Sequence, residues 1–163
     1  MLLASIVWNG RAVLMEVTMY RHLLIATDGS ELAEKAVAQG LALAKELGAK
    51  VIALTVTEPF ASMVAGDAVY PTLIVEYDKA IELSAKKILA PVRNAAGKIG
   101  VPCETIHAKE QYPAEGIVET AKARGCDLIV MASHGRRGVA KLLMGSQAAK
   151  VMAYSPIPVL ICR

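Results

Sequence analysis

The chain has 163 residues, enough for one domain with a substantial buried core. Apolar residues make up 55% of it, while 18 basic and 15 acidic side chains leave a net charge of only +3. With no Lys/Arg tract and just one Trp, five Tyr and one Phe, the composition argues against a nucleic-acid-binding surface.

The opening run, Met1 to Trp8, is too short to span a bilayer, and no basic segment precedes it, which argues against a secretory signal. Met15 and Met19 follow closely. Residues 1–19 therefore read as an over-long start or a peripheral arm, with no function assigned, and the domain itself as residues 20–163. Cys103, Cys126 and Cys162 are odd in number, widely spaced and form no Cys-x-x-Cys. They read as small buried hydrophobes of a cytoplasmic protein.

From Tyr20 the pattern alternates. His22 to Thr27 is a short apolar strand. Ser30 to Leu47 has helical period, with Ala33, Val37, Leu41, Ala44 and Leu47 on one face and Gly48 as its stop. Val51 to Thr57 is a second strand, and Glu58 to Pro71 is irregular. A long helix over about Thr72 to Lys98 carries Leu73, Tyr77, Ala80, Ile81, Ile88 and Val92 at helical spacing, with a kink expected at Pro91. Pro102 to Ala108 is a third strand and Pro113 to Arg124 a helix that opens on proline. Leu128 to Met131, Ser146 to Ala153 and Pro158 to Cys162 complete the series as strand, helix and strand. Strands that alternate with helices and are apolar throughout predict a parallel sheet covered on both faces.

In such sheets ligands sit beyond the carboxyl ends of strands, where strand order reverses. Two loops fit that position: Ala26-Thr27-Asp28-Gly29-Ser30, and Ala132-Ser133-His134-Gly135 with Gly145-Ser146 ten residues on. A strand leading through glycines to a helix start suits phosphate, because backbone N–H groups and the helix dipole converge there. Asp28 can accept from a sugar hydroxyl or an adenine amine; it also stands at capping-box spacing from Glu31, so helix capping competes with the favoured ligand role, and one carboxylate can do both. Ser146 can cap the last helix, or the N–H groups beside it can hold phosphate. Arg136, Arg137 and Lys141 can neutralise a polyphosphate or form a solvated basic loop. His134 reads as loop-shaping rather than as a general base, because the sequence places no nucleophile or orienting acid beside it. The chain lacks Gly-x-x-x-x-Gly-Lys-Ser/Thr, Gly-x-Gly-x-x-Gly after the first strand, and Gly-x-Ser-x-Gly. Those absences argue against a P-loop NTPase, an ordinary dinucleotide fold and an α/β-hydrolase elbow. No metal site is readable.

From about Tyr20 to Cys162 the chain resembles the universal stress protein family. The resemblance rests on His-Leu-Leu-Ile-Ala-Thr-Asp-Gly-Ser at 22–30, Val51-Ile-Ala-Leu-Thr-Val, Pro113-Ala-Glu-Gly-Ile-Val, Cys126-Asp-Leu-Ile-Val-Met-Ala-Ser-His-Gly, Gly145-Ser and Pro156-Ile-Pro-Val-Leu. It implies a three-layer α/β/α sandwich, Rossmann-like and of the adenine nucleotide alpha hydrolase type, with a five-stranded parallel sheet in order 3-2-1-4-5. It also implies a homodimer paired through the last strand, Val159 to Cys162. ATP-binding members of the family carry Gly-x-x-Gly, nine residues, then Gly-Ser/Thr. Here the spacing is kept and the first glycine is Ala132.

The family pattern assigns Asp28 and Val56 to adenine and ribose, Ala132 and Gly135 to ribose and phosphate, and Gly145, Ser146 and the Gln147 backbone to phosphates. With their strand-end neighbours Ala26, Thr27 and Met131, and Arg136 in the loop, these form the expected set for ATP with Mg²⁺. The implied function is a nucleotide-binding regulatory dimer in stress response, with at most slow ATP hydrolysis. Ala132 leaves open the alternative of a dimer that binds no nucleotide and acts through protein contacts. An ATP-cleaving enzyme on a similar fold is a more distant possibility.

Overall fold

The computed structural model describes residues 3–8, 11–16, 20–59, 71–109, 111–135 and 145–163. Two strands, β1 (Leu3–Trp8) and β2 (Arg11–Glu16), pair antiparallel with Trp8 opposite Arg11. Sequence periodicity assigns no structure to these residues. The available signal is Asn9-Gly10 between two apolar runs, the strongest short-range mark of a tight hairpin.

The rest of the chain runs β3 (His22–Ala26), α1 (Glu31–Leu47), β4 (Lys50–Val56), α2 (Pro71–Lys98), β5 (Cys103–Ala108), α3 (Pro113–Ala123), β6 (Leu128–Ala132), α4 (Ser146–Tyr154) and β7 (Val159–Cys162). These five strands form one sheet in order β5-β4-β3-β6-β7, all neighbours parallel, which is the expected 3-2-1-4-5. Element ends differ from the sequence expectation by at most one residue, and one shift matters: Ala132 belongs to β6, in register with Cys162. Helix α2 is continuous through Pro91, which lies on its solvent side.

Alternation along each strand divides the core between the sheet's two faces. Leu23, Ile25, Val51, Ala53, Leu128, Val130 and Ala132 pack with α1 and α2. Leu24, Ile52, Leu54, Ile129 and Met131 pack with α3 and α4. Burial on both faces is why the strands read as unbroken apolar runs. Helix α1 begins at Ser30, whose hydroxyl accepts from Ala33 N, and ends at Gly48 in the left-handed conformation. Asp127 ties the start of β3 to the start of β6: its carboxylate accepts from Arg21 N (2.8 Å) and His22 N (3.0 Å), and its own N–H donates to His22 O. Cys126 and Cys162 are buried as expected, and Cys103 is only half-buried. Burial, reinforced by the Asp127 charge, pushes the Cys126 thiol up to about 11, so it is an inert packing group. Among the described residues no helix is long and apolar enough to cross a membrane.

Candidate functional site

Strands β3 and β6 are neighbours at the centre of the sheet, so the loops that leave them meet. After β3, Thr27 N still donates to Leu54 O, and the chain then turns on its own side chains. Thr27 Oγ1 accepts from Gly29 N (3.2 Å), Asp28 Oδ1 accepts from Ser30 N (3.0 Å), and Gly29 takes the positive φ of 74° that the turn requires. The capping role open to Asp28 in the sequence therefore belongs to Ser30. Asp28 builds the turn that leads into the cap.

After β6, Ser133 N donates to Cys162 O, which extends the pairing with β7 by one residue. The Ser133 hydroxyl lies 3.1 Å from His134 Nδ1, a local contact in keeping with a loop-shaping histidine. Gly145 N donates to Ser133 O at 2.9 Å and so closes the two ends of the second loop on each other. Gly145, not Ser146, is the N-cap of α4, and no side chain caps that helix. This corrects the expectation for Ser146, which is the first helical residue. The first N–H groups of α4 have no intrahelical acceptor and are open to an anion.

Both motif glycines are explained by the protein's own contacts. A Cβ at Gly135 would come to 2.6 Å from Asp28 Oδ2, and one at Gly145 to 2.8 Å from the Ser133 carbonyl oxygen. The glycines therefore let the β3 loop, the β6 loop and the start of α4 close up on one another. Gln147, expected to contribute its backbone, also uses its side chain: Oε1 accepts from Ala114 N (3.2 Å), an N–H in the first turn of α3.

Together these loops border a cleft of about 560 Å³, large enough for a nucleotide-sized ligand. Ala26, Thr27, Asp28, Val56, Met131, Ala132, Gly135, Gly145, Ser146 and Gln147 all line it. Arg136, with Arg137 and Lys141, lies outside the described residues. Ala132 is 7% exposed, has the extended backbone of a strand, and belongs to the core cluster shared with α1.

The cleft has a further wall that motif reading missed. Tyr77, Ile81 and Ile88 of α2 line it, as do Pro113 and Ile117 of α3. The signal was present in the helical stripe, but a stripe does not say whether it faces core or cavity. Helix α2 does both: its middle, Tyr77 to Ile88, borders the cleft, while Leu89, Val92 and Ala96 are buried. Ala80, assigned to the same stripe, is exposed. Lys109 pairs with Glu82 and ties α2 to the end of β5. His107 Nε2 lies 2.8 Å from Thr57 Oγ1, and burial, helped by Lys109, holds the imidazole below its ordinary pKa. Among the described residues no group of three or more His, Cys, Asp or Glu is arranged to hold a metal ion.

Chemically, one end of the cleft offers uncapped helix N–H groups for an anion. Asp28 offers a carboxylate acceptor, and the walls supply apolar surface for a flat ring. A parallel sheet covered on both faces, with a cleft beyond the carboxyl ends of neighbouring strands β3 and β6, defines a doubly wound α/β domain. A sequence profile of the universal stress protein family matches residues 19–163, and the chain belongs to that family. It is 35% identical to universal stress protein YxiE of Bacillus subtilis over 149 residues, 89% of this chain and all of that protein. The solved structure of protein MJ0577, a universal stress protein of Methanocaldococcus jannaschii, superposes with a TM-score of 0.74 at 27% identity, covering 89% of this chain and 96% of that one. A universal stress protein crystallised in complex with cAMP has a TM-score of 0.64 at 25% identity, covering 88% of this chain and 97% of that one.

Proposed function

We propose that this protein is a cytoplasmic, nucleotide-binding regulatory dimer that takes ATP, with Mg²⁺ carried on its phosphates, and changes its partner contacts in stress. The observation that carries the reading is the closure of the glycine loops: the Gly145 N–H on Ser133 O beside the uncapped start of α4, with Asp28 against Gly135. That frame supplies N–H donors for phosphates at one end and a carboxylate acceptor for base or sugar at the other. The relative that carries cAMP supports an adenine nucleotide as the ligand class. Val56 supports it too, as an apolar wall for the base. The case for an empty cleft rested on Ala132, and it loses force because that alanine lies in a strand with its side chain packed in the core.

A dimer through β7 is supported by that strand's position at the sheet edge and by exposed Leu160, Met152 and Tyr154 on β7 and α4. Turnover of ATP is at most slow, since no dedicated water-activating base or arginine finger is recognisable in the motif loops. The test is to denature the purified protein, look for released adenine nucleotide, and titrate ATP with and without Mg²⁺. Bound or carried-over nucleotide is expected. No nucleotide released and no binding at millimolar ATP would leave a dimer that acts through its surface alone.

A further inference from the structure

The loop between β5 and α3 sets a side chain outside the glycine motif behind the cleft's lining residues. Gln111 donates its backbone N–H to Thr57 O (3.3 Å), which anchors it beyond the carboxyl end of β4, on the ligand side of the sheet. Val56, Thr57 and Pro113 around it all line the cleft. Among the described residues, Gln111 Oε1 is the buried side-chain polar atom that has no hydrogen-bond partner. It lies over the bare Cα of Gly116, where a Cβ would come to 2.7 Å from it and 2.9 Å from Val56 Cγ1. An amide oxygen held against carbon is a destabilising arrangement that native proteins rarely keep without a use. Gln111 as a whole is only half-buried, so turning the amide toward the cleft breaks no bond at Oε1.

Resting on the nucleotide reading above, we propose that Gln111 reads the base: Oε1 accepts from the exocyclic amine of adenine, and the amide N–H donates to N7 on the same edge. A primary carboxamide carries acceptor and donor side by side, the complement of that edge of adenine. A purine with a carbonyl in place of the amine sets acceptor against acceptor. The glycine at 116 gives the oxygen room to rest when no base is present.

The experiment titrates ATP and inosine triphosphate, whose base carries that carbonyl, into the parent, Gln111→Leu and Gln111→Ala, and melts each nucleotide-free protein. The parent is expected to prefer ATP by about tenfold or more. Gln111→Leu should lose the preference by weakening ATP alone. Its nucleotide-free form should melt no lower than the parent, because an unpartnered acceptor has gone. Gln111→Ala, which adds no bulk, gives the same readout should leucine prevent folding. A parent that binds both nucleotides equally, or variants that keep the preference, would overturn the assignment and leave nucleotide binding standing. Variants that melt lower with the preference intact would mark Gln111 as structural only. A parent that binds neither nucleotide overturns this inference and the proposed function together.

Discussion

Gly145→Ala is the sharpest probe of how the cleft is built. The backbone at Gly145 has φ −60° and ψ 146°, which any residue adopts, so the substitution carries no conformational strain. Its cost is steric. The new methyl would sit 2.8 Å from Ser133 O and 3.4 Å from His134 Cα, both backbone atoms that cannot rotate away. The two ends of the loop must separate, which strains or breaks the 2.9 Å bond from Gly145 N to Ser133 O. Overpacking of this kind costs about 1–3 kcal/mol. Taking about 2 kcal/mol, a domain of this size should melt roughly 4–8 °C lower. ATP affinity, read by calorimetric titration, should fall at least about tenfold as the α4 N–H groups move out of line. The family resemblance assigns Gly145 to phosphate binding. The contact with Ser133 gives the glycine a structural duty as well. A Gly145→Ala protein that melts and binds ATP like the parent would refute this account of both.

Other expectations follow from single contacts. Ala132→Gly, which restores the family's first glycine, should lower stability by about 1–2 kcal/mol in urea titrations through backbone entropy and a lost buried methyl. ATP affinity should not improve, and a tenfold gain would mean that the alanine obstructs the ligand. Asp127→Ala leaves Arg21 N and His22 N without their acceptor and should cost about 1–3 kcal/mol, with nucleotide affinity unchanged. His22 and His107 are both held below their ordinary pKa, chiefly by burial. In that case the unfolded chain binds the proton more readily than the folded one, so their contribution to stability is complete above about pH 6.5 and is lost as pH falls through the folded values. Urea midpoints should therefore decline on acidification below that pH, and His22→Gln/His107→Gln should flatten the decline. An unchanged slope in the double variant would remove these two groups as its cause.

The fold was legible because its determinants are local or periodic. Unbroken apolar runs such as Leu128 to Met131 announce strands buried on both faces, and Gly48 marks where α1 must stop. Strand order is a different matter. Nothing in the spacing says that β6 lies beside β3, and the family resemblance supplied that. The motif loops of the cleft were legible for the same reason, whereas its helical wall was not. Tyr77 and Ile81 share a stripe with Val92, yet the first two face a cavity and the last is buried. A stripe encodes which side of a helix is apolar, not what lies opposite. Capping misled in a related way. Asp28 and Ser30 are both good caps two residues apart, and only coordinates show that Ser30 receives Ala33 N while Asp28 receives Ser30 N.

The glycine motif is commonly read as room for a ligand, and the geometry here adds a prior condition. A Cβ at Gly135 collides with Asp28, and one at Gly145 with Ser133, before any phosphate arrives. The loops are therefore drawn together by contacts within the protein, and the open N–H groups of α4 are fixed by that closure rather than by what binds. Preorganisation of this kind lowers the entropy lost on binding. It also separates two kinds of position within one motif. Gly135 and Gly145 admit no Cβ without displacing a partner. Ala132, in the last register pair of the β6–β7 ladder and in the core cluster beside α1, already carries one. A Cβ at 132 is thus housed in the core beside α1, whereas one at 135 or 145 requires a neighbour to move.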